Sequence, residues 1–398
     1  MELTRLLAEL IATPSVNPMG QSVAEGAFYE SRLTDYLEQY FRALNLTVMR
    51  QPIAPHRDNL LARFDPPSVD RKNIPLLLID VHQDTVPVEG MRINPFAAEI
   101  DGTKMFGRGA CDVKGGMAAI LHTVRQLVQS NEKCVPTIVI ACTVNEENGF
   151  SGAYELTKLW ENCAVADFIG KKPDACIVTE PTRLRVIRRH KGVVRWRCHT
   201  RGIAAHSSQT RDAEHAIYRM GHVVGLLEHY ASEILPQLDG DALCGAATLS
   251  VGTISGGVSV NTIPDRCSIE IDRRILPSET PDTAYEHAIQ HMGQLKTMGI
   301  ELEHESPMLR APGLCDSRNG ALADCLLKTI RDTGQPSGTE GAAYCTNAGA
   351  IAASGVPVVV FGPGSIEQAH TEDEWIDTRE VQLAADILRK FVTSAWTL

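Results

Sequence analysis

The chain has 398 residues, 43% of them hydrophobic and 22% charged, with a formal net charge of −11. That length suggests two domains with ample apolar material for a core, and the acidic balance argues against a nucleic-acid groove or an anionic membrane surface, both of which need basic patches. No apolar run approaches the roughly 20 residues of a membrane helix, and eleven cysteines without CxxC spacing suit buried thiols of a reducing cytoplasm better than a disulfide framework or a zinc ribbon.

Leu3, Leu6, Leu7, Leu10 and Ile11 form one helical stripe, and the charges of Glu2, Arg5 and Glu9 between them argue against a secretory leader. A second amphipathic helix is predicted over Glu25 to Leu44, followed by strands at Leu46 to Arg50 and Asn59 to Phe64. The apolar run from Pro75 to Pro87 reads as a strand buried on both faces. At its far end His82 and Asp84, two residues apart, point the same way. A glycine cluster over 107–116, with Asp112 inside it, leads into an apolar helix from Met117 to Val128. The strand Thr137 to Val144 ends at Asn145-Glu146-Glu147, and the strand Asp174 to Thr179 ends at Glu180. Strands alternating with helices predict an α/β domain with a mostly parallel sheet flanked by helices.

From about Arg185 the texture changes to the alternating pattern of half-exposed antiparallel strands. A strand over 186–200, a helix from Asp212 to Leu227, strands over 247–253 and 266–272, a helix from Pro281 to Met298 and a strand from Glu301 to Ser306 follow in β-α-β-β-α-β order. That order is ferredoxin-like, so an inserted α+β domain is expected over 186–305. The α/β pattern resumes with a helix from Ala321 to Thr333, a strand from Pro357 to Phe361 and a helix from Glu380 to Ser394. The first domain is thus discontinuous, 1–185 with 306–398.

His82, Asp112, the pair Glu146-Glu147 and Glu180 recur about once per βα unit, which returns each to the sheet edge where open α/β sheets bind ligands. His370 follows the last predicted strand. Taken singly, each carboxylate reads as a solvated loop residue. Two histidines and several carboxylates without thiolates suit zinc, cobalt or manganese. Bringing four or more carboxylates together without a cation would cost several kcal/mol. The glycine cluster lacks the Gly-Lys-Ser/Thr of a phosphate-cradling loop, which excludes a nucleotide role.

The motifs His82-x-Asp84-x-Val-Pro87, Gly107-Arg-Gly109-x-x-Asp112-x-Lys114-Gly115-Gly116, Glu146-Glu147-x-Gly149, Thr179-Glu180-Pro181, and Gly362-Pro-Gly364 with Ala369-His370-Thr371 resemble, in order and spacing, the M20 family. This family of di-zinc amidohydrolases and peptidases includes acetylornithine deacetylases, succinyl-diaminopimelate desuccinylases, aminoacylases and carboxypeptidases. The resemblance implies that Asp112 bridges two metals, with His82 and Glu180 completing one site and Glu147 and His370 the other. It implies Asp84 as the group that orients His82, Glu146 as general base, and a cis peptide after Asp112. His206 fits the histidine that stabilises the oxyanion from the partner subunit of a homodimer built through the inserted domain. Asn261 and Arg274 match substrate contacts, Arg274 as the clamp for an α-carboxylate, whereas Arg273 reads as a solvated strand residue. The amides of Gly362 and Gly364 are candidates to hold the same carboxylate.

The reaction so implied is hydrolysis of an N-acyl amino acid through a bridging hydroxide in the cytoplasm. The segment 362–374 resembles that of acetylornithine deacetylases and favours N-acetylornithine. Desuccinylase, other deacylase and peptidase activities are the alternatives within the family, and a non-catalytic metal-dependent binding protein is the alternative outside it.

Overall fold

The computed structural model describes residues 2–21, 23, 27–66, 74–130, 136–161, 166–209 and 214–394, which divide into two compact units. The first comprises Met1–Arg188, Asp316–Glu340 and Thr346–Leu398. Its sheet opens with the antiparallel hairpin β1 (Thr47–Ala54) and β2 (Arg57–Phe64), followed by β3 (Leu76–His82), β4 (Thr137–Thr143), β5 (Ala175–Val178) and β6 (Val358–Val360). The order across the sheet is β1-β2-β4-β3-β5-β6, continued by Val186–His190 and Thr339–Ala342.

The four central strands β4, β3, β5 and β6 run parallel. On either side of them the pairing turns antiparallel, where β2 meets β4 and Val186–His190 meets β6. Every residue of β3 and of β4 is buried, as an apolar run covered on both faces requires. Helices Glu2–Ile11, Ser31–Ala43, Gly115–Ser130, Gly320–Asp332 and Thr378–Thr393 join one face of the sheet in a continuous core. Helices Ser151–Glu161 and Asn347–Ala353 cover the other. Register then places the site: His82 lies opposite Thr143, and Asp80 opposite both Ala141 and Val178. The strand ends are level, so the residues just beyond them emerge on one edge. The helix expected from Glu25 begins at Ser31, and Glu25 itself lies outside the described residues.

The second unit is Arg189–Cys315 with Gly341–Cys345, against the 186–305 expected. Its antiparallel sheet has the order Thr248–Gly256, Arg266–Ile275, Gly192–Arg201, Leu302–His304. With helices Ala216–His229 and Pro281–Met292 this is the β-α-β-β-α-β arrangement. The extra ten residues arise because Leu309–Ala311 also pairs with Gly192–Arg201. Asp212, where the first of these helices was expected to start, lies outside the described residues. Alternation works as period two demands: Val194, Trp196 and Cys198 join Met220, Val223 and Ala288 in the core. On the other face Arg195 pairs with Asp272 at 2.6 Å and Arg197 with Glu270 at 2.8 Å.

Candidate metal centre

His82 closes β3, and its ring is fixed from behind. Nδ1 lies 2.8 Å from the carbonyl oxygen of Asp84. A carbonyl only accepts, so Nδ1 donates to it and Nε2 is the ring nitrogen left facing forward. It faces two carboxylates, Asp112 Oδ1 at 3.0 Å and Glu180 Oε2 at 3.9 Å. Asp112 turns its other oxygen the opposite way, with Oδ2 3.3 Å from His370 Nε2, and His370 Nε2 is also 3.3 Å from Glu147 Oε2. Two groups result, His82–Asp112–Glu180 and Asp112–Glu147–His370, each with its ligand atoms within 4.8 Å of one another. Asp112 belongs to both. The peptide between Asp112 and Val113 is cis.

The electrostatics of this cluster are those of a site built for positive charge. Burial, then the charge of Glu180, pushes the Glu146 carboxyl well above its usual range. Burial likewise raises Glu180 strongly, and raises Glu147 to about 7 with help from Asp112. Burial alone would lower His82, but its contact with Asp112 and the charges of Glu180 and Glu146 carry it well above normal. His370, held by Asp112 and then Glu147, rises to about 10. Asp112 shows the reverse: burial would raise it, yet His370 and His82 hold it well below the usual carboxylate range.

A divalent pair fits these residues. Two ligands of one tetrahedral zinc, each about 2.0–2.1 Å from it, stand about 3.3 Å apart, and the observed separations of 3.0 to 3.9 Å bracket that spacing. Glu147 Oε1 and Glu180 Oε1 are buried without a hydrogen-bond partner among the described residues, which a cation would supply.

The Asp84 carboxylate does something other than orient His82, from whose Nδ1 its Oδ1 stands 3.8 Å away. It accepts the backbone N–H of Glu146 at 3.0 Å and of Glu147 at 3.1 Å, and the Nδ2 amide of Asn17 at 2.8 Å. Asp84 thus holds the Glu146-Glu147 peptide by its main chain, while its carbonyl orients His82. Behind it Asn17 Oδ1 accepts from Arg57 Nη2 at 3.1 Å, and Arg57 also donates to Asn145 Oδ1 and lies 3.5 Å from Glu30. Sequence reading missed Asn17, Glu30 and Arg57, because a turn asparagine and isolated charges carry no periodic signal of burial.

The expectation for Gly362 and Gly364 needs correcting. The Gly362 N–H donates to Thr182 Oγ1 at 3.0 Å and the Gly364 N–H to Glu380 at 2.8 Å, so neither is offered to a ligand carboxylate. Their glycines answer to space instead. A Cβ on Gly362 would sit 2.6 Å from the Glu180 carbonyl oxygen, and Gly364 has φ +86°.

In the second unit His206 and Asn261 are neighbours: His206 pairs with Thr262, and the Ser207 N–H donates to the Asn261 carbonyl at 3.0 Å. His206 is exposed, its Nδ1 2.8 Å from Ser208 Oγ. Arg274 lies a strand length away with its Nε on Asp272 at 2.9 Å. Arg273, expected in solvent, is 0% exposed. It donates to Glu279 at 2.6 Å and to the Ala284 carbonyl, beneath the Tyr230 ring.

The model of peptidase family M20/M25/M40 matches residues 78–394. The chain is 30% identical over 383 residues to an acetylornithine deacetylase of Edwardsiella ictaluri, covering 94% of this chain and 92% of that one. It is 28% identical to the acetylornithine deacetylase of Shigella sonnei, over 95% and 94% of the two chains. Among solved structures, an M20 family metallo-carboxypeptidase from Sulfolobus solfataricus superposes with a TM-score of 0.79 at 18% identity, covering 99% of both chains. A tripeptidase from Staphylococcus aureus superposes at 0.77 with 22% identity, over 98% of this chain and 97% of that one.

Proposed function

Because the chain belongs to the peptidase family M20/M25/M40, we propose that it is a two-metal amidohydrolase that cleaves N-acetylornithine to ornithine and acetate. The observation that carries this reading is the division of Asp112, one oxygen toward each of two imidazole–carboxylate groups, beside a Glu146 that belongs to neither. His82, Asp112 and Glu180 would hold one divalent ion and Asp112, Glu147 and His370 the other. Zinc suits the donor set, with cobalt and manganese next. Bound there, the ions supply Lewis acidity, lowering the pKa of a water and polarising the scissile carbonyl.

The chain's own part is proton handling and alignment. Glu146, held through its N–H by Asp84, takes the proton of the attacking water and passes it to the leaving amine. Arg274 clamps the substrate α-carboxylate through two parallel hydrogen bonds, and Asn261 is a further substrate contact. The partner subunit's His206 stabilises the developing oxyanion. A homodimer through the second unit is supported by Thr248–Gly256, an edge strand with one neighbour, largely exposed and carrying Ile254. No described helix is long and apolar enough to cross a membrane, and the same reading locates the enzyme in the cytoplasm.

The deciding experiment measures amine release from N-acetylornithine, N-succinyl-diaminopimelate, N-acetylmethionine and a dipeptide, with chelator-stripped protein and zinc or cobalt added back. Metal-dependent turnover with N-acetylornithine preferred is the expected result. Preference for the succinyl substrate or the dipeptide would reassign the substrate, and no turnover with two metals bound would leave a binding protein. Sedimentation under assay conditions checks the dimer; a fully active monomer would refute the role of the partner subunit's His206.

A further inference from the structure

Four residues beyond His370, the side chain of Glu374 reaches back under the loop that carries Asp112. It is 0% exposed and uses both oxygens fully. Oε1 accepts the backbone N–H of Cys111 at 2.8 Å and of Asp112 at 3.0 Å. Oε2 accepts the Gly109 N–H at 2.9 Å and Arg108 Nη1 at 2.8 Å. Its own carbonyl accepts the Gly107 N–H at 3.0 Å, and the next residue, Trp375, pairs with Phe106 as a short antiparallel strand. Arg108 is 3% exposed, so the ion pair is buried and satisfied on both sides.

We propose that Glu374 is a positioning residue for the ligand group Asp112–Glu147–His370, holding the segment that bears His370 against the 109–112 backbone. The proposal rests on the two-metal reading above and goes beyond it by assigning the device that keeps one site assembled. The two ligand groups are supported differently. His82 and Glu180 stand at the ends of β3 and β5, whose register the sheet fixes. His370 sits in a loop, half exposed, with no strand of its own beneath it. Its distance from Asp112 is set by the few residues between it and Glu374 and by the carboxylate that grips the 109–112 backbone.

The test is calorimetric titration of the chelator-stripped full chain with zinc chloride, comparing wild type with Glu374→Gln. The amide replaces one acceptor oxygen with a donor, which cannot receive both the Gly109 N–H and Arg108. The first zinc equivalent should bind within about threefold of wild type. The second should weaken about 10- to 100-fold, the usual consequence of losing a group that orients a ligand. A purely structural role would weaken both equivalents alike, and either that result or two unchanged affinities would overturn the proposal. Should Glu374→Gln not fold, Glu374→Asp keeps the charge but withdraws the oxygens by one methylene, with the same expected split and the same refutation. Wild-type protein that binds fewer than two equivalents would sink the two-metal reading itself. Two equivalents in wild type without a split in the variant would sink only the role of Glu374.

Discussion

Glu146 and Glu147 are chain neighbours, one free of the ligand groups and the other within the second of them. The Asp84 carboxylate takes both of their amides, so their side chains diverge from one clamped peptide. Glu146→Gln should lower kcat about 100- to 10,000-fold while zinc content stays at the wild-type stoichiometry. Because burial and then the charge of Glu180 raise Glu146, folding without metal must either protonate this carboxyl or bury its charge, and the amide avoids both costs. The metal-free variant should therefore melt above the metal-free wild type. Retained turnover would sink the base assignment, and a lowered melting point the electrostatic account. His82, Glu147, Glu180 and His370 were legible because each closes or follows an apolar strand, and Asp112 because it sits in a glycine cluster ahead of an apolar helix. Asp84 was legible as present but not in its action, since a carboxylate two residues from a histidine looks the same whether it holds the ring or, as here, the neighbouring loop. Gly362 and Gly364 illustrate the same limit: a glycine-rich segment does not say whether its amides are free or already bonded.

Secondary-structure elements decide what adjacent arginines do. Along the strand Arg266–Ile275 successive side chains point to opposite faces, which sends Arg273 beneath Tyr230 into the helix-covered core and Arg274 to the open face beside Asp272. Arg273→Ala should destabilise the protein by about 3 kcal/mol, because it leaves Glu279 without its buried partner. Arg274→Ala should cost less than about 1 kcal/mol, yet raise KM strongly for substrates with a free carboxylate and leave amidated substrates unaffected. Thermal melts and paired kinetics separate the two. Gly362→Ala belongs to this scale as well. Its Cβ would press on the Glu180 carbonyl at 2.6 Å, and zinc binding at the His82–Asp112–Glu180 group should weaken with it. Strand and helix identities were largely readable from periods of two and 3.6, including the ferredoxin-like order. The reach of the second unit to Cys315 was not, because Leu309–Ala311 is too short to show alternation.

For the whole molecule, the cluster is a store of unfavourable charge until cations arrive. Glu147 is raised to about 7 and the buried Glu30, pushed up by burial and then by Asp84, to about 8. Each binds its proton more tightly folded than unfolded, so stability is present below the unfolded value near 4.5 and is lost as pH rises through the folded value. His370, raised to about 10, acts in the same direction from about 6.5 upward. The melting temperature of chelator-stripped protein should therefore fall from pH 5 to pH 8. Zinc-loaded protein should fall less, since ligand carboxylates then ionise against a cation. Parallel curves with and without zinc would contradict the two-ion arrangement.

The ligands begin at His82 and end at His370, about 290 residues apart, with the entire second unit encoded between them. At ribosomal rates of about 5–20 residues per second, roughly 15 to 60 s separate the synthesis of the first ligand from that of the last. During that interval Asp112 and Glu147 lack the imidazole of His370 that completes their group. On the two-metal reading the second group can fill only late, once His370 has been made, whereas His82, Asp112 and Glu180 have all been made by residue 180. β6, which is also made last, slots beside β5 at the same stage. On that reading, closure of the chain and filling of the second group coincide.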